Sequence, residues 1–271
     1  MKLVAPTKKP LELTAIHPNA GIEAKYRKAL QVLISEMSRS VIYWTRAAWK
    51  KSPPVSSVAQ DRESSIVDLR RTMIRMAKHW QGRFDSLSDS LAKVFVDGAT
   101  QHTDAAFMAE LSKAGFTVKF KMTEAVYEGY QAVYRENVGL IKSIGSDYLH
   151  AVEGDVWRAV SQGHDLQKLT DTLQHRYGVT HKRAAFIARD QSNKAKAVIE
   201  KARREELGIT QAIWQHSGGG KEPRHSHLKA GREKLVFDVS KGAYIDGEYI
   251  LPGEKINCRC TSRAVIPGFE D

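Results

Sequence analysis

The sequence predicts an α+β protein: a mainly α-helical body followed by a small C-terminal β-rich module. Two observations carry that prediction. Apolar residues recur at three- and four-residue spacing through long stretches before Gly208, and short alternating runs replace them afterwards. A third supports it: Asp246-Gly247 lies between Ala243-Tyr244-Ile245 and Glu248-Tyr249-Ile250, and Asp-Gly tolerates the positive φ values of a type I′ hairpin turn. The expected organisation is an extended N-terminal arm over 1–20, a helical domain over 21–207 and an α+β module over 208–271.

In chain order, Pro6, Pro10 and Pro18 with Lys8 and Lys9 predict an arm that becomes ordered only by docking elsewhere. Leu30, Leu33, Met37, Val41, Trp44 and Ala48 predict one helical stripe, stopped at Ser52-Pro53-Pro54. Ile66, Leu69, Met73, Met76, Trp80, Phe84, Leu87, Leu91 and Phe95 predict a second helix. Its Arg71, Arg75 and Lys78 form a basic stripe, either a solvated face or a polyanion contact. Gly115-Phe116 ends this region, and Thr117 to Phe120 reads as a short extended bridge.

Thr123-Glu124 signals the next helix, with Val126, Tyr130, Val133 and Tyr134 on its buried side. Gly145 and Gly163 are expected to punctuate further helices. Asp165 is the expected N-cap of a helix from Leu166 to Tyr177 that stops at Gly178, and Thr180 caps another from about His181 to Leu207. In that last helix Ala184, Ile187, Ala188, Ala195, Val198 and Ile199 predict close packing beside many Lys and Arg residues. Beyond it, Ile209–His216, Leu235–Phe237 and Cys258–Ile266 read as strands, and Ser217-Gly218-Gly219-Gly220 as a loop.

The net charge is +11 with an isoelectric point near 9.5, which points to a polyanionic neighbour such as DNA, RNA or an acidic protein surface. No apolar run approaches the roughly 20 residues that span a bilayer, so no membrane partner is expected. The N-terminus lacks an apolar signal core, which makes a cytoplasm the default address.

The two cysteines, Cys258 and Cys260, are one residue apart. On one strand they would share a face about 7 Å apart, too far for an easy disulfide. With His225 and His227 they form an N₂S₂ donor set of the kind Zn²⁺ prefers, although both spacings are shorter than the usual knuckle. The competing reading makes the cysteines small buried hydrophobes and the histidines polar loop residues. A Cys–His nucleophile is not specified, because nothing in sequence orients it. Asp238, Asp246, Glu248 and Glu254 sit at turns and strand ends, where acids are common without metal chemistry. Gly218-Gly219-Gly220-Lys221 lacks the flanking spacing of a phosphate loop.

One ordered series goes further. Ala184 to Gln191 including Arg189, then Gly208-Ile209, Trp214, Arg224-His225-Ser226-His227, Gly231, Pro252-Gly253 and Asn257-Cys258-Arg259-Cys260 resembles the phage minor head, or head-morphogenesis, family typified by phage Mu protein F. The likeness covers roughly residues 150–267, with Arg189, Trp214, Arg224, Ser226, Gly231, Pro252, Gly253 and Asn257 on pattern positions. His225 falls where members differ, which leaves His227 with the two cysteines as the reduced ligand set.

The resemblance implies a non-enzymatic minor capsid protein of a tailed phage. It would sit inside the head near the portal vertex, after assembly in the host cytoplasm. Its expected partners are the portal protein, other head proteins and DNA, in support of head assembly and DNA packaging or delivery. The resemblance itself requires no cofactor; structural zinc at the His–Cys set is the one candidate that the residues offer. Two alternatives stay open: a metal-dependent enzyme acting on nucleic acid or cell wall, and a DNA-binding module whose affinity falls steeply with salt.

Overall fold

A computed structural model describes residues 10–54, 59–163, 165–219 and 222–267. Pro6, Lys8 and Lys9 of the expected arm, and Gly220 and Lys221 of the glycine loop, lie outside the described residues. The elements run β1 (Leu11–Glu12), α1 (Ala20–Lys51), α2 (Ala59–Lys113), α3 (Glu124–Ser161) and α4 (Leu166–Glu206). They continue β2 (Gln211–Gln215), α5 (His225–Arg232), β3 (Val236–Asp238), β4 (Ala243–Ile245), β5 (Glu248–Ile250) and β6 (Thr261–Ile266). The α+β class is as the sequence predicts. Among the described residues no helix is long and apolar enough to cross a membrane.

Composition changes at residue 207, but compactness divides the chain otherwise, into two units to which each of the four long helices contributes. The helical unit takes residues 25–92 and 136–187. Here α1 buries Leu30, Leu33, Met37 and Val41 as expected, and then Thr45 and Trp49 in place of Trp44 and Ala48. Steps of four follow the inclined ridge used when helices cross, so the buried face moves away from the predicted stripe. Trp44 stays 44% exposed, beneath the Arg75 guanidinium at 5.8 Å. On α2, Leu69, Met73, Met76, Trp80 and Phe84 are buried as expected. Two buried hydrogen bonds tie α3 to α1: Tyr26 Oη to Asn137 Oδ1 at 3.0 Å, and Tyr148 Oη to Ser38 Oγ at 2.9 Å.

Two expected helix breaks are absent. Gly145 lies inside α3, where a side chain would collide with the Phe84 ring at 2.7 Å, so it is a packing position. Gly178 lies inside α4, which runs unbroken because Leu169, Leu173, Ala184 and Ile187 keep one face buried through it. Thr180 accordingly donates back to the Arg176 carbonyl at 3.1 Å and caps nothing. The Asp165 cap is present, accepting the Lys168 N–H at 2.8 Å.

The mixed unit takes 1–24, 93–135 and 188–271. Its four-stranded antiparallel sheet has the order β1-β6-β2-β3, with Leu11 opposite Ile266, Ala212 opposite Ala264, and Ala212 opposite Phe237 on its other side. The described part of the arm therefore docks on its own chain as an edge strand. Leu13 and Ile16 continue inward against Phe107, Leu111, Ile209 and Ile266. Thr117 to Phe120 forms no strand; Val118 and Phe120 pack on this same cluster. The predicted hairpin is β4–β5, with Asp246 at φ 55° and Gly247 at φ 85°.

The C-terminal half of α4 is charged yet buried. Lys196 and Arg204 both pair with Glu200, and Arg204 also donates to Ser262 Oγ at 2.8 Å. Arg203 forks onto Asp104 at 2.8 and 2.7 Å and lies 4.5 Å over the Phe120 ring. These cations serve the core and present no basic surface.

Candidate functional site

The site grows from the end of β2. Trp214 points into the core at 1% exposure and stacks edge-on against the His227 ring at 5.1 Å. Arg224, extended at φ −64° and ψ 127°, leads into α5, which buries His227 and Ala230 three residues apart on one face. At Gly231 this helix meets β2 closely: an added Cβ would sit 2.6 Å from His216 Cβ and 3.0 Å from its backbone nitrogen.

The cysteines arrive on a loop between β5 and β6. Pro252 is buried, and Gly253 has φ 97°, with a would-be Cβ 3.1 Å from the Asn193 carbonyl oxygen. Asn257, at φ 60°, donates its N–H to Asp190 Oδ1 at 2.5 Å and accepts Arg189 Nη2 on its own Oδ1 at 3.2 Å. The Arg189-Asp190 pair on α4 thus clamps the turn that sends both thiols inward. Cys258 and Cys260 are each 3% exposed and free.

The strand geometry expected for the cysteines is corrected by the structure. They precede β6 and do not share its face. The turn at Asn257 brings their sulfurs and His227 Nδ1 all within 4.8 Å of one another, closer than strand rise allows. His227 Nδ1 stands 3.5 Å from Cys258 Sγ and 3.8 Å from Cys260 Sγ. His225 is exposed at the start of α5 and lies outside this cluster, because residues two apart on a helix point to nearly opposite sides and His227 turns inward.

The electrostatics separate the two thiols. A hydrogen bond from Cys260 holds the Cys258 thiol down to about 4 against the upward push of burial. His227 and the backbone N–H groups of Cys260 and Gly253 add to the lowering. Cys260, the donor in that pair, is pushed above its ordinary range by the same bond, by burial and by the Cys258 charge. The cluster forms part of the wall of a cavity of about 710 Å³, which Arg189, Arg224, Arg259 and His216 also line. Two sulfurs and an imidazole below a cationic rim can hold a thiophilic metal ion.

Residues 150–263 match the family model described as phage Mu protein F like protein. Over this stretch the chain is similar to the phage Mu protein F-like family. An uncharacterized protein of Haemophilus influenzae is 28% identical over 252 residues, 92% of this chain and 54% of that protein. The chain therefore spans about half the length of that relative. No solved structure matches.

Within the Mu F-like segment the remaining pattern residues do structural work. Arg224 Nη2 donates to the Ile256 carbonyl at 3.0 Å, and Ser226 Oγ donates to Asp246 Oδ2 at 2.6 Å, so α5 is tied to the cysteine loop and to the hairpin turn. The acids weighed for a nuclease are dispersed. Asp238 accepts from Ser240, Glu248 pairs with Lys255 and Glu254 accepts the Leu251 N–H.

Outside the segment, Arg71 is exposed and pairs with Asp68 at 3.3 Å; Arg75 and Lys78 are exposed on the same helix, in the helical unit. Sequence reasoning missed Asp190 as the partner of Asn257 and His216 as a cavity residue. Asp190 stands next to Arg189 in the helical segment that carries the family likeness, but nothing local marks its target 67 positions away.

Proposed function

We propose that this chain is a non-enzymatic minor component of the head of a tailed phage, positioned at the portal vertex and bordering packaged DNA. One observation carries the reading: the family match over 150–263 falls on the stretch whose pattern residues converge around Trp214, His227 and the cysteine loop. In this reading the module over 208–271 is the part that identifies the subunit to its assembly partners. The long helices supply extended contact surface, and the net charge of +11 suits a place beside DNA or an acidic portal face. Arg71, Arg75 and Lys78 are the proposed polyanion contacts.

The test is co-expression with the portal protein of the same phage, followed by purification through a tag on the portal. The expected result is stable co-purification, with the subunit located at the portal vertex in images of assembled heads. Absence of the protein from both the portal fraction and purified heads would overturn the proposal. The cavity beside two thiols supports one competing reading, a metal-dependent enzyme acting on nucleic acid or cell wall. Hydrolysis of either polymer by the purified chain, lost on His227→Ala with the fold intact, would favour it.

A further inference from the structure

An assembly role leaves one buried cluster of the matched segment without a use. His227, Cys258 and Cys260 are each 3% exposed, with Nδ1 to Sγ distances of 3.5 and 3.8 Å. A tetrahedral Zn²⁺ with Zn–S of about 2.3 Å and Zn–N of about 2.0–2.1 Å sets its nitrogen and sulfur donors roughly 3.6 Å apart. The two observed separations straddle that value.

The surroundings of the sulfurs point the same way. Both sulfurs are set against His227 Nδ1, and Trp214, whose ring lies 5.1 Å from that of His227, keeps a buried indole N–H with no hydrogen-bond partner. Thiols donate and accept hydrogen bonds weakly, so two buried sulfurs gathered on one imidazole nitrogen suit a shared soft cation better than a hydrogen-bonded cluster. Two adjacent buried thiolates repel unless a cation lies between them. One Zn²⁺, two thiolates and one neutral imidazole sum to zero charge. As the ion enters, any proton still on the sulfurs leaves to solvent and no oxidation state changes.

Among the described residues the cluster offers no donor for the fourth position. His225 is exposed and outside it, and the same three residues form part of the cavity wall. We propose that His227 Nδ1, Cys258 Sγ and Cys260 Sγ bind a single Zn²⁺ whose fourth coordination position opens to the arginine-lined cavity and holds an exchangeable water. Three arginines, Arg189, Arg224 and Arg259, line the cavity against one acid, Glu222, and that balance favours a small anion as the replacement ligand. This inference is independent of the head-protein reading: the site stands or falls on metal chemistry alone.

The full chain, purified without chelator, is the material for the test. Elemental analysis is expected to find about one zinc per chain. A protein that stays metal-free after incubation with excess Zn²⁺ and desalting would overturn the proposal. Cobalt exchange into the unmutated protein then reads the ligands directly, so a folding failure in a variant cannot obscure the answer. Thiolate-to-cobalt charge-transfer absorption is expected, and its absence counts against ligation by the cysteines. Azide should shift the cobalt ligand-field bands, whereas an azide-insensitive spectrum means a closed site and rejects the open position. His225→Ala should keep full metal content; a folded His225→Ala protein that has lost its metal would refute the three-residue ligand set.

Discussion

At Gly231 one hydrogen atom separates a packed site from a collision. The nearest neighbours of an added methyl are the Cβ and backbone nitrogen of His216, neither of which can rotate away. Gly231→Ala must therefore push α5 off β2, and overpacking of this kind costs about 1–3 kcal/mol. Urea unfolding of the variant is expected to show that loss, and an unchanged midpoint would mean the approach is looser than the structure has it. The residue scale also marks the limit of local reading. The Cys-x-Cys pair and the nearby His-x-His pair are visible in sequence. Which histidine turns inward, and that the thiols sit on a turn at Asn257 and not along a strand, depends on Arg189 and Asp190 of α4, more than 60 positions earlier.

At the scale of elements, α4 was legible as apolar and basic but not as a carrier of buried ion pairs. Glu200 faces Lys196 and Arg204, with all three side chains no more than 5% exposed. Glu200→Gln leaves two cations uncompensated in the core, and breaking a buried pair costs about 3–5 kcal/mol. Glu205→Gln, on the more exposed pair with Lys201, is the control, expected to change stability by at most about 1 kcal/mol. Equal effects in thermal unfolding would contradict the assignment.

The N-terminal segment gives a pH-dependent counterpart. Glu110 of α2 accepts Lys113 Nζ and the Thr14 N–H, and these bonds hold its carboxyl below the ordinary range, with burial opposing. A depressed folded value means the stabilisation is complete above the ordinary carboxylate range and disappears as pH falls through the lowered value. The protection factor of the Thr14 amide, its exchange corrected for the intrinsic rate, should therefore fall on acidification, and Glu110→Gln should show faster exchange already at neutral pH. An exchange rate at Thr14 that is the same in both proteins at neutral pH would remove Glu110 from the docking of this segment.

At the scale of the molecule, the amino-acid order alone determined the α+β class, the β4–β5 hairpin turn, most helix starts and stops, and the likeness of residues 150–263 to the Mu F-like family. Each is written within a turn or two of chain, in periodicity, capping residues and short motifs. Tertiary structure alone decided that residues 11–12 complete the sheet against β6. It also decided that Gly145 and Gly178 are carried inside helices, that Lys196, Arg203 and Arg204 of α4 are core, and that His227 joins the cysteines while His225 does not. These outcomes depend on which surfaces meet across tens of residues. A local pattern states that a face must be buried, and only packing selects the partner that buries it.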